Sequence, residues 1–306
     1  MDKTKKGIAL FITLLIIASI LSIVAVSFSY LEKVQKDASK VSALIQGNLL
    51  YKNTTEILKR FFPKGKVDSK KIDMIYNLPL ILNEPESGFN INLKCNPLLI
   101  AVPIKWLDRE FTKKKPQRLE FAQKILQSIL EEYEIEEPNK LEEIIVAKVN
   151  GYDIESGYQK RLKAKKGLFS KKEFYNILLD YRLRFDDIKV FKIPWDRYFV
   201  FIDVTTNAVI DGAYITPELI SIAFNIPLQS VKDDWNIDNL EEDKMTLKKF
   251  LTQNGTSEAF DKKLFSETAL NAMSCEESFA YKDRYYSFSF DYSDERSINF
   301  EFNGEI

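Results

Sequence analysis

The stretch GIALFITLLIIASILSIVAVSFSY, from Gly7 to Tyr30, decides how this chain is organised. It contains no charged side chain, and a short head with Lys3, Lys5 and Lys6 precedes it. A helix rises about 1.5 Å per residue, so this stretch is long enough to cross the roughly 30 Å hydrocarbon core of a bilayer. Lysines before the span and mixed charges after it predict a cytoplasmic N-terminus and an exported bulk.

A removable secretory signal is the alternative interpretation of this stretch. The apolar region of such a signal is about 7 to 15 residues long and ends at a small-x-small site. The stretch here is longer, and its candidate site, Ala25-Val26-Ser27, is embedded in apolar sequence. A retained membrane helix is therefore favoured over a cleaved signal.

The helical pattern continues beyond the span, until Pro63 and Gly65 interrupt it. Apolar residues recur there at three- and four-residue spacings, at Val34, Ala38, Val41, Leu44, Ile45, Leu49, Ile57 and Leu58. The pattern predicts one helix of about fifty residues, half of it in lipid and half of it amphipathic.

A short basic leader followed by a glycine and an unbroken helix resembles the start of a type IV prepilin-like protein. The resemblance implies that a prepilin peptidase cuts after Gly7, so that Ile8 becomes the first residue of the mature chain. The alternative is a plain bitopic anchor that happens to begin with glycine.

Two residues depart from the common prepilin pattern. The mature chain would begin with Ile8 where Phe is usual, and Ile12 stands where most prepilins carry a glutamate. The prepilin resemblance gives that glutamate the role of a counter-charge for the α-amino group of a neighbouring subunit, because charges in lipid are tolerated as pairs. Its absence is a feature of the K-type minor pseudopilins (general secretion pathway protein K), whose start is similar to GIALFITLLIIASIL here. The alternative is that Ile12 marks a segment that is no prepilin.

Strands are predicted on both sides of a mostly helical middle. FNINLKC, Phe89–Cys95, alternates apolar and polar residues, and so do residues 286–292 and 298–302, which predict a hairpin around a turn at 293–297. Helix starts with a cap and a following glutamate are predicted at Asn139 with Glu142, Ser170 with Glu173, and Asn239 with Glu242.

The predicted fold class is α+β: a pilin-like long N-terminal transmembrane helix packed on an antiparallel sheet, with a large α-helical insertion. The K-type pseudopilins resemble this order, although an unrelated α+β exported domain could share it. The predicted segments are a leader (1–7), a transmembrane half-helix (8–30), an amphipathic half-helix (31–62), a first β part (63–110), a helical insertion (111–275) and a final β hairpin (276–306).

One segment of the insertion, residues 201–226, resembles a helix-hairpin-helix-like (SAM-like) unit of the K-type family. A short apolar strand is predicted before a polar turn, and Thr216-Pro217 is predicted to cap the helix that follows. Asp203 and Thr205 stand where the family prefers asparagine. The hairpin lacks the glycine that phosphate binding would need, so the unit is interpreted as structural.

Composition excludes several kinds of function. The chain of 306 residues has no histidine, which excludes Ser-His-Asp and Cys-His catalysis and HExxH zinc sites. Its formal net charge is −1, which argues against a dedicated nucleic-acid binder. No catalysis and no nucleic-acid partner are expected.

The two cysteines, Cys95 and Cys275, are an even count in a chain that faces an oxidising compartment, so a disulfide between them is one expectation. Two buried free thiols are the alternative. The acidic stretch Asp233–Asp243 offers oxygen atoms that calcium could use, and K-type pseudopilins are known as calcium-binding in general terms. Because Asn239 and Met245 break the EF-hand pattern, no calcium ligands are assigned and no cofactor is expected.

The resemblance implies a minor pseudopilin at the tip of a periplasmic pseudopilus, in a type II secretion or related competence-type system. The expected location is the inner membrane, crossed once. The expected partners are other minor pseudopilins, the prepilin peptidase and the inner-membrane secretion platform. The alternative function is a bitopic inner-membrane protein with an exported interaction or sensory domain. The basic run 160–172 is interpreted as an exposed face, with docking of an acidic partner as the alternative.

Overall fold

The computed structural model describes residues 3–63, 68–84, 89–151, 170–235, 245–281, 284–293 and 296–305. The helices are α1 (Lys3–Phe61), α2 (Ser69–Asn77), α3 (Arg109–Thr112), α4 (Pro116–Glu132), α5 (Pro138–Asn150), α6 (Lys171–Phe185), α7 (Trp195–Tyr198), α8 (Pro217–Phe224), α9 (Leu228–Asp234) and α10 (Leu247–Gln253). The strands are β1 (Leu80–Glu84), β2 (Phe89–Pro97), β3 (Val102–Pro103), β4 (Phe199–Val200), β5 (Ala272–Tyr281), β6 (Arg284–Ser293) and β7 (Arg296–Glu305). Short 3-10 turns lie at Ile104–Leu107, Ile188–Phe191 and Ser257–Ala259.

The long helix α1 runs unbroken through 59 residues, which confirms the prediction of one continuous helix. At about 1.5 Å per residue it is close to 90 Å long. Its last turn carries Lys59 and Arg60, where cations interact favourably with the carboxyl end of the helix dipole. The chain leaves the helix at Phe62 and Pro63, as the proline predicts.

The sheet is antiparallel and has the strand order β1-β2-β5-β6-β7. The hairpin β6–β7 confirms the predicted hairpin, and β2 contains the predicted strand 89–95. Strand β5 was not predicted, and the predicted boundary at residue 275 lies inside it. Its sequence AMSCEESFAY carries two adjacent glutamates, and this weakens the alternation by which a strand is recognised.

The unit of short helices is inserted between β2 and β5 and has its own apolar core. The core is built around the buried faces of α4, α5, α6, α8 and α10, with Trp106 and Trp195 among its largest side chains. A parallel pair, β3 with β4, joins the beginning of the unit to its middle. The middle of the chain is therefore helical, as the periodicity predicts.

Two of the predicted helix starts are confirmed, and one is wrong. The Ser170 side chain accepts a hydrogen bond from the Glu173 amide at 3.1 Å, and Thr216 caps α8 in the same way. The cap predicted at Asn139 is wrong, because α5 already begins at Pro138, whose fixed φ suits the first turn. The helix start predicted at Asn239 lies outside the described residues. The described helix of that region, α10, is capped by Thr246.

The helix-hairpin-helix-like segment is present as α8 and α9, joined through Asn225 in the left-handed conformation. The strand predicted just before it is displaced, because the extended residues are Phe199–Val200 rather than those from Phe201 onward. Asp203 is instead paired with the ammonium group of Lys105.

Candidate functional site: the long helix and its seat on the sheet

The first half of α1 is not buried against any other described part of the chain. From Phe11 to Leu31 every side chain is exposed, with Phe11 at 66% and Leu21 at 62%. Its most apolar window has a mean hydropathy of 2.7 and is entirely unburied. An apolar helix surface of this extent is unfavourable in water and favourable in hydrocarbon or against other apolar helices.

Three serines of this half make hydrogen bonds within the helix. The hydroxyls of Ser19, Ser22 and Ser27 donate to the carbonyl oxygens four residues earlier, at 2.8 to 2.9 Å. A hydroxyl bonded in this way presents little polar surface to lipid. The segment is therefore chemically suited to cross a membrane despite its serines.

The residues named by the prepilin resemblance all lie in this helix. Gly7 and Ile8 fall within α1, and Ile12 is half exposed four residues after Ile8. Between Phe11 and Leu31 no described residue is charged, so a neighbouring α-amino group would meet no carboxylate here. Processing after Gly7 remains a prediction.

The second half of α1 packs on the sheet, and we call this contact surface the seat of α1. One stripe of the helix, at three- and four-residue spacings, faces β5, β6 and β7; it consists of Ala43, Gly47, Leu50, Thr54 and Leu58. Gly47 lies at the closest approach, since a Cβ atom there would be 3.2 Å from the ring of Phe302 and 3.6 Å from that of Phe279. The missing side chain lets helix and sheet pack at short range.

Tyr51 lies over an aromatic patch of the sheet. Its ring centroid is 5.3 Å from that of Phe290, 4.7 Å from that of Phe300 and 6.3 Å from that of Phe288. The pairs with Phe288 and Phe290 have edge-to-face geometry, which aromatic rings favour. These contacts fix the rotation of α1 over the hairpin β6–β7.

A buried carboxylate faces the helix from β5. The hydroxyl of Thr54 donates to one oxygen of Glu277 at 2.7 Å, and Glu277 itself is fully buried. The other carboxylate oxygen, Oε1, makes no hydrogen bond to the described residues. Burial raises the pKa of Glu277 from 4.5 to about 7, against the opposing effect of the Thr54 hydrogen bond.

The two cysteines lie directly opposite each other on β2 and β5. The structure joins their sulfur atoms at 2.05 Å, and both residues are buried beneath the seat of α1. This bond would tie together strands that are 180 residues apart in sequence. Its formation in the exported protein remains a prediction.

A tyrosine and two carboxylates connect the sheet region to the helical unit. The hydroxyl of Tyr214, in the helical unit, donates to the carboxylate of Asp73 on α2. Asp211 accepts hydrogen bonds from the amides of Ala213 and Leu270, both at 2.9 Å. Burial, together with the Asp73 carboxylate, raises the pKa of Tyr214 above its ordinary value, so the hydroxyl keeps its proton.

The strand register places the helical unit at the end of the sheet farthest from the membrane segment. Along α1, Gly47 contacts Phe279 and the later Thr54 contacts Glu277, so β5 runs back towards the membrane segment. The insertion leaves β2 at Pro97 and enters β5 at Ala272, which are both at the far end. Both connections of the unit to the sheet therefore lie at the end away from the membrane segment.

No metal site is evident in the part of the chain that the structure describes, because no group of three or more metal-ligating side chains occurs there. Most of the acidic stretch Asp233–Asp243 lies outside the described residues, since only 233–235 belong to them. Calcium binding by this stretch therefore stays untested, and no calcium ligands are assigned.

Sequence reasoning missed Glu277, Gly47 and Tyr51 as parts of the seat. An available signal was the alternation of Met273, Cys275, Glu277 and Phe279, which would have placed Glu277 on the inner face once β5 was recognised. Gly47 carried no local signal, because only the neighbouring β7 shows why a side chain is unfavourable there.

These features together define an α+β protein with a long N-terminal helix that is apolar enough to cross a membrane, an antiparallel sheet that packs on this helix, and an inserted helical unit. No family model and no curated protein matches the sequence. Among solved structures, the chain is similar to one from the crystal structure of the GspK-GspI-GspJ complex of the type 2 secretion system of enterotoxigenic Escherichia coli. The similarity has a TM-score of 0.46 and 10% identity and covers 86% of this chain and 98% of that chain. At this level the likeness is distant, and the proposals below depend on this chain's own helix, sheet and helical unit.

Proposed function

We propose that this protein is a minor pseudopilin of the K type, processed after Gly7 and placed at the tip of a periplasmic pseudopilus. In this role α1 enters a bundle of similar helices in the inner membrane, and the exported part lies above the membrane in a type II secretion or related system. Its function is structural: it starts or caps the filament and contacts other minor subunits.

The observation that carries this proposal is the two-part character of α1. A plain anchor needs about twenty apolar residues and can then end or bend. Here the same helix continues without a break into a seat of buried contacts that ends at Leu58. The exported part is thereby held rigidly on the membrane segment, as a subunit of a helical filament requires.

The outer face of the second half of α1 supports assembly with other subunits. Ile45 and Leu49 are more than half exposed on the side away from the sheet, and Val41, equally exposed, borders the groove between α1 and β7. Continuous with the apolar membrane segment, they offer a neighbouring helix an apolar surface that begins in lipid and extends above it.

Two features support a position at the tip. The helical unit is connected to the far end of the sheet, where the next subunit of a growing filament would have to stack. Ile12 also provides no carboxylate for the amino group of another subunit, so this chain is poorly suited to an interior position.

The mature N-terminus tests the proposal. We would extract the protein from membranes and determine its intact mass and terminal sequence, with and without the prepilin peptidase of the cell. The expected chain begins at Ile8 only when the peptidase is present, and Gly7→Asp should abolish this cleavage. The control Asn48→Asp, at an exposed position of α1 far from the site, should still be cut.

Other termini would contradict the proposal. A chain that begins at Met1 in the presence of the peptidase would favour the bitopic anchor with an exported interaction or sensory domain. A chain that begins after Ser27 would indicate a secretory signal and a soluble domain. The tip position is tested separately by counting copies in purified pseudopili, and many copies along each filament would contradict it.

A further inference from the structure

Helix α6 carries an exposed apolar surface; over one of its side chains, Tyr175, the ammonium group of Lys171 lies 5.9 Å from the ring centroid. Beyond residue 63, ten large apolar side chains are exposed in the described chain, and half of them lie within this helix and the 3-10 turn that follows it. The five are Tyr175, Leu179, Leu183, Ile188 and Phe191, which we call the α6 apolar face. The other five, Met74, Leu78, Ile81, Tyr285 and Ile298, are scattered over α2 and the sheet.

The α6 apolar face is continuous and is not the core side of the helix. At about 100° per residue, Tyr175, Leu179 and Leu183 fall within an arc of roughly 80°. The core side is occupied by Phe174, Ile177, Leu178 and Tyr181, which are all buried. Leu183 is 75% exposed, and the turn with Ile188 packs beside the helix. A clustered apolar surface of this kind marks an interaction site more often than isolated exposed residues do.

The charges on this face are mainly positive. Lys172 lies one turn before Tyr175, and Arg182 lies one turn after Leu179, both exposed. Within the described residues neither forms a salt bridge, whereas the neighbouring Lys171 is paired with Asp196 at 3.2 Å. Asp186, at the end of the helix, is the acidic residue on the same arc.

We propose that the α6 apolar face binds an amphipathic helix of a partner protein whose apolar side is bordered by aspartate and glutamate. The partner's apolar side chains would cover Leu179 and Leu183, and its carboxylates would meet Lys172 and Arg182. The face belongs to the helical unit, which is connected to the sheet at the end away from the membrane segment, and this assigns the partner helix to a soluble exported domain rather than to a lipid surface. This inference goes beyond the proposed function, because the face would bind its partner whether or not Gly7 is processed.

The first test uses designed helical peptides as probes and the full-length protein in nanodiscs of uncharged lipid. One peptide has leucines on one face bordered by glutamates, and the matched peptide has lysines in place of the glutamates. Fluorescence anisotropy should show binding of the acidic peptide that weakens with added salt, and binding of the basic peptide weaker by about tenfold or more.

Variants locate the binding. Leu179→Ser with Leu183→Ser should weaken binding of the acidic peptide by about tenfold or more, because the centre of the contact is lost. Lys172→Glu with Arg182→Glu should reverse the preference between the two peptides. The controls Met74→Ser and Lys124→Glu, at exposed positions on α2 and α4, should leave both affinities unchanged, and circular dichroism should show that every variant is folded.

Several results would overturn the proposal. They are absence of binding, equal affinity for the two peptides, and equal loss in the control variants.

A photo-cross-linker placed at Leu183 in cells gives an independent decision. The cross-linked segment should belong to an exported protein and carry acidic residues beside an apolar helical stripe. A cross-link to a second copy of this chain or to lipid, or the absence of any cross-linked protein, would contradict it. None of these outcomes depends on the mature N-terminus, so this inference and the proposed function can fail separately.

Discussion

The two halves of α1 form one helix by the same backbone hydrogen bonds, but they depend on different surroundings. From Phe11 to Leu31 every side chain is exposed, and burial of this apolar surface must come from lipid or other helices. From Ala43 onward one stripe of the helix is buried against the sheet. The comparison shows that secondary structure alone does not distinguish an assembly surface from a core contact, whereas burial does.

The largest expected effect lies in the sheet under the second half. Replacing Cys95 and Cys275 together by alanine should lower the free energy of unfolding by up to about 5 kcal/mol, because the bond closes a loop of 180 residues in the unfolded chain. Chemical denaturation followed by circular dichroism would measure it. If reductant lowers the stability of the unaltered protein but not that of the variant, the bond is present; equal behaviour of the two proteins would show that it is not.

A matched pair of leucines tests the comparison between the halves directly. Leu58 is 1% exposed in the seat, and Leu58→Ala should destabilise the folded exported part by about 2–5 kcal/mol. Leu21 is exposed in the membrane half, and Leu21→Ala should leave unfolding of that part unchanged. Equal effects in denaturation experiments on the protein in nanodiscs would mean that the two halves are not energetically separate.

The buried Glu277 predicts a pH dependence that belongs to the seat alone. Its folded pKa of about 7 lies above the ordinary value of 4.5, so between these values the folded state binds more protons than the unfolded state. Its effect on stability therefore turns unfavourable as pH rises from about 4.5 to 7 and reaches about 3 kcal/mol above that range.

The variant Glu277→Gln should remove this loss, so that it is more stable than the unaltered protein at pH 8 and similar to it at pH 4.5. Denaturation midpoints measured across this range would show the difference. The exposed neighbour provides a control, since Glu276→Gln should keep the original pH dependence. A Glu277→Gln profile parallel to that of the unaltered protein would show that this carboxyl does not titrate in the range.

The sequence was sufficient for elements that depend on local periodicity and insufficient for contacts between distant segments. The continuous α1 and the hairpin β6–β7 could be predicted because their patterns are uninterrupted and, in the hairpin, adjacent. Pairing of β2 with β5 joins segments 180 residues apart, and the cysteine pair was the one sequence feature that linked them. The α6 apolar face could not be distinguished from core, because Leu179 and Leu178 differ in burial but not in residue type.

The smallest expected effect concerns Gly47, where two effects of similar size oppose each other. Alanine is more favourable than glycine inside a helix by about 1 kcal/mol. The added Cβ, however, would lie 3.2 Å from the ring of Phe302, so that the ring must shift by a few tenths of an ångström. Because Phe302 is half-buried on the edge strand β7, we expect the ring to yield and Gly47→Ala to change the stability by less than about 1 kcal/mol.

A larger side chain separates these two effects. Gly47→Leu cannot be accommodated by a small tilt of Phe302 and should cost about 1–3 kcal/mol, measured by the same denaturation experiment. The same change at the next residue, Asn48→Leu, adds a leucine on the exposed side of α1 and should cost little. If Gly47→Leu and Asn48→Leu are equally tolerated, the close approach of helix and sheet at Gly47 does not hold in solution, and the seat begins only at Leu50. The two halves of α1 would then meet one turn farther from the membrane.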